Sequence, residues 1–391
     1  MHPDMYTQNT PVHVRLWHHD FWRLAFANLL LSMAVYMQIP ILPLWLGNCS
    51  EMAVAIAMGI FGIGVYCLGP FCSYLVQHYR RSHVYMFSVC VMIAGMAALL
   101  YLSGDKGILV ERVWFARLVM GTAYGLAQMV LLSTLVIDTS ESFQRTEANH
   151  SAAWFGRFGL SLGPILSLTI YPFFGFSGTM FCAMACSLVA VILVLLVHFS
   201  FKAPEEKLSK VNLDRFFLPH GSILFLNLLL ITSAIGIVLS LTVDSLFYMM
   251  LMAGFLLALL SQKFVFANAE LKSEIVSGLF LMGVALLMML SERPTPRLYL
   301  APVLIGASIG LIGARFLLFF IKLSKHCQRG TSQSSFFLAW ESGLALGLFI
   351  GHAFLVSQPR LLLYVDLGIV IIALCMYRFF THSWYLRNKN R

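Results

Sequence analysis

Four ionisable side chains stand inside long apolar runs of the sequence: Arg117, Arg157, Arg315 and Glu341. Holding an ionised group at the centre of a bilayer costs about 2.5–3.5 kcal/mol on insertion scales, so such residues are seldom idle. Glu341 can take up and release a proton, because desolvation favours the neutral acid and a nearby arginine favours the carboxylate. Arg157 and Arg315 lie at a similar depth in their runs and are its expected partners. The group then either titrates or forms a static buried ion pair between two helices. Arg117 reads as a contact for an anion or a proton, or as a packing charge that snorkels outward. It shares one helical stripe with Gly121, Tyr124 and Gln128. Asn28, Ser32 and Tyr36 recur at steps of four, and Asn227 can join them from the second half of the chain. Each of these four reads as a ligand contact or as an interhelical hydrogen bond. Asp366 is expected near a surface. His18, His19, His78, His83, His150 and His326 read as interfacial rather than as ligands.

Other chemistry is not signalled. There is no GxxxxGK[ST] phosphate loop, no HExxH, no GxSxG and no carboxylate pair at catalytic spacing. The eight cysteines are scattered singly, and none forms a CxxC or a Cys/His pair at metal spacing. They read as small apolar packing residues, with only Cys49 in a loop. Neither a catalytic centre, a metal site nor a cofactor is expected.

The elements that must position these residues follow from composition. Of 391 residues, 59% are apolar and 11% are charged, against about 25% charged in a soluble domain. A water-soluble enzyme is excluded, because little polar surface remains to cover such a core. Twelve charge-poor runs lie near 22–46, 52–76, 84–102, 112–137, 150–171, 179–201, 221–241, 245–262, 275–290, 298–323, 333–356 and 361–381. The seventh and eighth are separated only by a weak break at Asp244. None alternates at period two, so strands are excluded. With both termini in the cytoplasm, 18 Lys and Arg residues fall inside and 5 outside, which fixes the orientation. The net charge of +9 is thus largely a topology signal, and no nucleic-acid partner is expected. The N-terminus lacks the pattern of a cleavable signal. The longest polar link falls at the midpoint and divides the chain into 1–201, a cytoplasmic linker 202–220, and 221–391.

The two halves share a repeat. Gln144-Arg145 precedes Gly159 and Gly163 at the same steps by which Gln328-Arg329 precedes Gly343 and Gly347, an offset of 184 with the pattern GL-x-LG. Gly69 and Gln77 recur as Gly254 and Gln262 at an offset of 185. Arg157 and Glu341 are themselves related by the 184 offset. Duplicated six-span halves suit alternating access, with a site at the midplane between them.

These residues resemble the major facilitator superfamily of secondary transporters, bacterial type, over nearly the whole chain. The link Gly69-Pro70-Phe71-Cys72-Ser73-Tyr74-Leu75-Val76-Gln77-His78-Tyr79-Arg80-Arg81 is similar to the family's GPxxGrlaDrfGRr loop. Gly69, Pro70, Leu75 and Arg81 fit, whereas Gln77 replaces the usual Asp and Arg80 the second Gly. The family's charged gate clasp therefore cannot form in its usual way here. Arg117, Gly121 and Gly125 resemble the family's RxxxG pattern, and Gly159, Gly163 and Pro164 resemble its antiporter GxxxGP motif. Pro40 and Pro43 resemble the outer end of its first helix. The resemblance implies an all-α membrane protein with twelve transmembrane helices in two pseudo-symmetric six-helix bundles. It further implies a monomer in the inner or plasma membrane that moves a small-molecule substrate with the proton gradient as its energy source. Proton-coupled export is the first expectation. Proton-coupled uptake of an anionic metabolite, for which Arg117 and Arg157 would be clamps, is the alternative, beside a non-transporting sensor.

Overall fold

Helices begin where the sequence supplies a cap or a turn between apolar runs. Ser50 accepts the Ala53 amide, and the Asp244 carboxylate accepts the Leu246 amide at 3.0 Å, so the weak break at Asp244 is a real helix start. The computed structural model describes residues 16–104, 109–199, 209–267, 269–325, 328–355 and 358–389. Arg15, Lys106, Lys202, Lys207, His326, Cys327 and Arg391 lie outside them. Among the described residues, eleven helical stretches are long and apolar enough to cross a membrane. They are α1 (His19–Trp45), α2 (Glu51–His78), α3 (Arg81–Leu102), α4 (Val110–Asp138), α5 (Arg145–Leu195), α6 (Pro219–Ser240), α7 (Ser245–Phe264), α8 (Leu271–Met289), α9 (Pro296–Leu323), α10 (Arg329–Phe354) and α11 (Pro359–Asn388).

The expected fifth and sixth runs are one element, α5, of 51 residues. Its backbone breaks at Gly175, where φ is 61° and ψ −160°, a region open essentially to glycine alone. Phe176, just past the break, stacks on Trp45 at the end of α1 with ring centroids 4.2 Å apart. At its other end α5 returns to the start of α1, where Arg23 donates to the Leu196 carbonyl at 2.8 Å. The element therefore doubles back at Gly175.

Large exposed side chains such as Phe87, Phe115, Phe173, Phe280 and Phe379 point outward, while Asn28, Gln128, Arg157, Gln333 and Glu341 are buried. This distribution reverses that of a soluble protein and matches a lipid exterior around a polar interior. The glycine repeat marks the tightest packing. Gly159 and Gly163 face α1, where a Cβ at 163 would lie 2.8 Å from the Met33 carbonyl oxygen; Gly343 and Gly347 face α6, where a Cβ at 347 would lie 2.8 Å from the Gly236 Cα. Gln144 and Gln328 each immediately precede the first residue of their helices. The 184-residue offset is therefore a structural equivalence: the same kind of helix packs through the same two glycines onto the first helix of its own half. Pro40 lacks the amide that would bond to the Tyr36 carbonyl, and the helix is interrupted beside it at Met37.

Replacing Gly163 by Leu is expected to cost about 1–3 kcal/mol through overpacking against α1. The loss would be read as a lower thermal-unfolding midpoint in detergent, and Gly283→Leu, where the nearest neighbour lies 3.9 Å from a built Cβ, should leave it unchanged.

Candidate functional site

Arg157 and Glu341 stand at the same step of α5 and α10 and line one cavity of about 40 Å³ between the two halves. They do not pair. The Glu341 Oε1 accepts the Tyr36 hydroxyl at 2.5 Å and lies 3.4 Å from the Tyr124 hydroxyl. Tyr124 is in turn 3.4 Å from Gln128 Nε2, which donates to Asn28 Oδ1 at 2.9 Å and Ser32 Oγ at 3.1 Å. Asn28 is held by its own donation to the Ala152 carbonyl. A polar chain thus runs from α5 through α1 and α4 to the one carboxylate that α10 presents. Its members come from the helical stripes read in the sequence, so Asn28, Ser32, Tyr36, Tyr124 and Gln128 are brought together here.

Arg157 is 4% exposed, and none of its three guanidinium nitrogens has a hydrogen-bond partner among the described residues. Its charge lies 4.8 Å from the Trp154 ring and 6.0 Å from that of Phe336, which offsets only part of its desolvation. Gly313 makes room for it, since a Cβ there would meet Nε at 3.0 Å. Gln333 also lines the cavity, and among the described residues neither end of its amide has a partner, nor has Gln128 Oε1. Buried donors and acceptors thus stand open around one void among the described residues. Sequence reasoning missed Gln333, Phe337 and Trp340. They share the helix of Glu341 at steps of three and four, the same stripe argument that found Tyr124.

Four expectations change position. Arg117 does not reach the cavity: its Nη1 donates to Gln38 Oε1 at 2.8 Å and its Nε to the Ala57 carbonyl at 3.1 Å, with Phe61 beneath it. It fastens α1, α2 and α4 together. Arg315 does not pair with Glu341 but forks onto Glu274, donating from Nε to Oε2 at 2.9 Å and from Nη2 to Oε1. Glu274 lies in the first turn of α8, where the helix N-terminus favours a carboxylate; the run read from 275 left it just outside. Asn227 donates to the Ala373 carbonyl of α11 rather than facing the cavity. Asp366, expected at the periphery, is fully buried, and neither carboxylate oxygen has a partner among the described residues.

The chain matches the family model of the Major Facilitator Superfamily over residues 24–270. It belongs to that superfamily. Solved structures agree on the fold. The nucleoside transporter NupG superposes with a TM-score of 0.69 at 11% identity, covering 92% of this chain and 99% of its own. An auto-inhibited POT family peptide transporter gives 0.70 at 11%, covering 96% and 98%. The human organic anion transporter MFSD10 (TETRAN) gives 0.66 at 13%, covering 92% and 98%. No curated protein matches the sequence significantly. The protein is thus a multi-pass membrane transporter of the Major Facilitator Superfamily, which binds a small-molecule substrate.

The residues that match the superfamily's motifs pack helices and chain segments together. Gly121 and Gly125 press on the backbone of α2 at Phe61 and Val65. Pro164 lies inside α5, one residue after Gly163 on the α1 contact. Arg81 bonds Asp138 at the end of α4. Gln77, in place of the usual Asp, has a buried Oε1 without a partner among the described residues. Gly69 lies under the ring of Phe216, and the Pro70 carbonyl accepts the Asn212 amide at 3.0 Å.

The Arg315–Glu274 fork predicts a thermodynamic cycle. Glu274→Leu or Arg315→Met alone should destabilise by about 2–3 kcal/mol, below the ~3–5 of a fully enclosed pair because Arg315 keeps some exposure. The double variant should return to within about 1 kcal/mol of the parent in thermal unfolding. Additive losses would show that the two side chains act separately.

Proposed function

We propose that the chain carries a small organic acid through the membrane by alternating access, coupled to proton binding at Glu341. The observation that carries this reading is the unpartnered Arg157 guanidinium facing the cavity that Glu341 also lines. A buried cation without a partner is costly, and an incoming carboxylate would satisfy it by a forked pair of hydrogen bonds. The same carboxylate would be repelled by an ionised Glu341 across a water-poor space. Protonating Glu341 removes that repulsion, so acid and proton bind best together. Charge counting supports this coupling. Arg157 with an ionised Glu341 sums to zero without the solute; Arg157, the bound anion and a neutral Glu341 sum to zero with it. Both forms can close without burying a net charge.

At about 40 Å³ the cavity holds a few water molecules at most, against roughly 300–1,000 Å³ for an organic ligand. The halves must therefore part to admit a solute. The chain is read as twelve crossings, counting α5 twice, in two six-helix bundles at 1–201 and 221–391 joined by 202–220. Its place is the inner or plasma membrane as a monomer, with the linker and both termini in the cytoplasm on the evidence of the basic-residue asymmetry. The proton gradient supplies the energy.

Export against an inward proton flow is the second reading. It is favoured by the antiporter-like face of Gly159, Gly163 and Pro164, which seats α5 on α1.

Two experiments on the purified full chain test these readings. Carboxylic acids should raise its unfolding midpoint where neutral and cationic analogues do not, and Arg157→Gln should remove the shift and lower flux by about 10–100-fold. In liposomes, Glu341→Gln should keep solute exchange yet lose accumulation driven by a pH gradient. A neutral solute that stabilises parent and Arg157→Gln equally would remove the acid site. Solute moving opposite to the protons would select export, and ligand binding without any flux would select a sensor.

A further inference from the structure

The linker between the halves does more than connect them. Residues 209–218 lie across the face where α1 begins and touch both halves through specific bonds. Toward the first half, the Asn212 amide donates to the Pro70 carbonyl at 3.0 Å, and the Ser73 hydroxyl donates to Asp214 Oδ2 at 3.2 Å. Toward the second half, the Thr331 hydroxyl donates to Asp214 Oδ1 at 2.9 Å, the Arg215 amide donates to Thr331 Oγ1 at 2.9 Å, and the Leu218 amide donates to Ser335 Oγ at 2.7 Å. The Phe216 ring occupies the space that a side chain at Gly69 would need and meets Tyr66 edge-on at 6.3 Å. Arg215 adopts φ 56°, a left-handed conformation uncommon for a residue with a Cβ, which turns the chain between its two sets of contacts.

We propose that this segment is the latch of the linker face, with the Asp214 carboxylate as its bolt. One oxygen holds the first half at Ser73 and the other holds the second half at Thr331, so the face cannot open while both bonds persist. Charged acceptors make stronger hydrogen bonds than neutral ones, and the bolt lies on a tether already fixed to both halves, so it re-engages without a search. The nearby loop position Gln77 offers no charge and leaves its buried oxygen unpartnered; the closing charge comes from the linker instead. Direct contacts beside the latch are slighter. Gly330 abuts the Ser133 carbonyl, where a Cβ would lie 2.8 Å away, and Arg329 donates to the Ser142 carbonyl at 3.3 Å. These bring the start of α10 to the end of α4 and would part when the latch releases.

The test is hydrogen exchange on the full chain in nanodiscs, following amides in 329–336 at the start of α10 and 131–138 at the end of α4. Asp214→Ala should speed exchange in both segments about tenfold or more. Ser73→Ala and Thr331→Val, which alter opposite halves, should each do the same. Combining Ser73→Ala with Asp214→Ala should add nothing, because one bolt is already drawn; Thr331→Val also frees the Arg215 amide and is read singly. Asp244→Ala, at a helix cap remote from the linker, should leave both segments unchanged. Exchange that rises only within 209–218, or that adds up across the variants, would mean that these bonds merely order the linker, and the latch would be rejected. The readout needs no solute, so it stands or falls apart from the acid-carrier reading.

Discussion

An arginine and a glutamate at equivalent steps of two helices face one small cavity without touching, and the polar groups around them are arranged on that separation. An ion pair across the interface would be static, and in a low-dielectric interior hard to break. Keeping Arg157 on aromatic rings and Glu341 on tyrosine hydroxyls leaves each group held by weaker, replaceable contacts. The rest of the polar interior supports this. Gln128 fixes the tyrosine side through Asn28 and Ser32, and Gly313 clears the arginine side. Arg117 and Arg315 lie away from this cavity and are bonded to neighbouring helices.

The sequence repeat accounts for a shared mode of packing, and the places where its two copies differ account for the cavity lining. In each half a helix that follows a Gln-Arg pair packs through two glycines onto the first helix of that half. The shared geometry brings the position two residues before the first of those glycines, in both helices, to one cavity. The first half placed a cation at that step and the second an acid. Equivalent steps of two similarly packed helices thereby line the cavity with an arginine on one side and a glutamate on the other.

The spans and the repeat were legible because hydropathy and glycine spacing act locally along the chain. Asn28, Ser32, Tyr36, Tyr124 and Gln128 were legible for the same reason: one helix face is one stripe. Partners between helices were not. Whether Arg315 met Glu341 or Glu274 depended on which helices adjoin, and Glu274 fell one residue outside the run that apolarity defined. Arg117 looked open to a ligand until Gln38, from another helix, came to cover it. Asp366 was expected near a surface, yet α11 packs against α6 and α8 and the residue is fully buried. The separation of the fifth and sixth runs dissolved because Gly175 bends the backbone in a single residue, with no polar link to announce it.

That bend has a practical side. Most joins between helices in such a protein are loops, where added residues are absorbed without disturbing either neighbour. At Gly175 there is no slack: helical turns run up to it from both directions, and Phe176 is pinned on Trp45. An epitope tag or a fused domain placed there would have to unwind two helices together. The spot is equally poor for a protease, which needs an extended stretch of chain to grip.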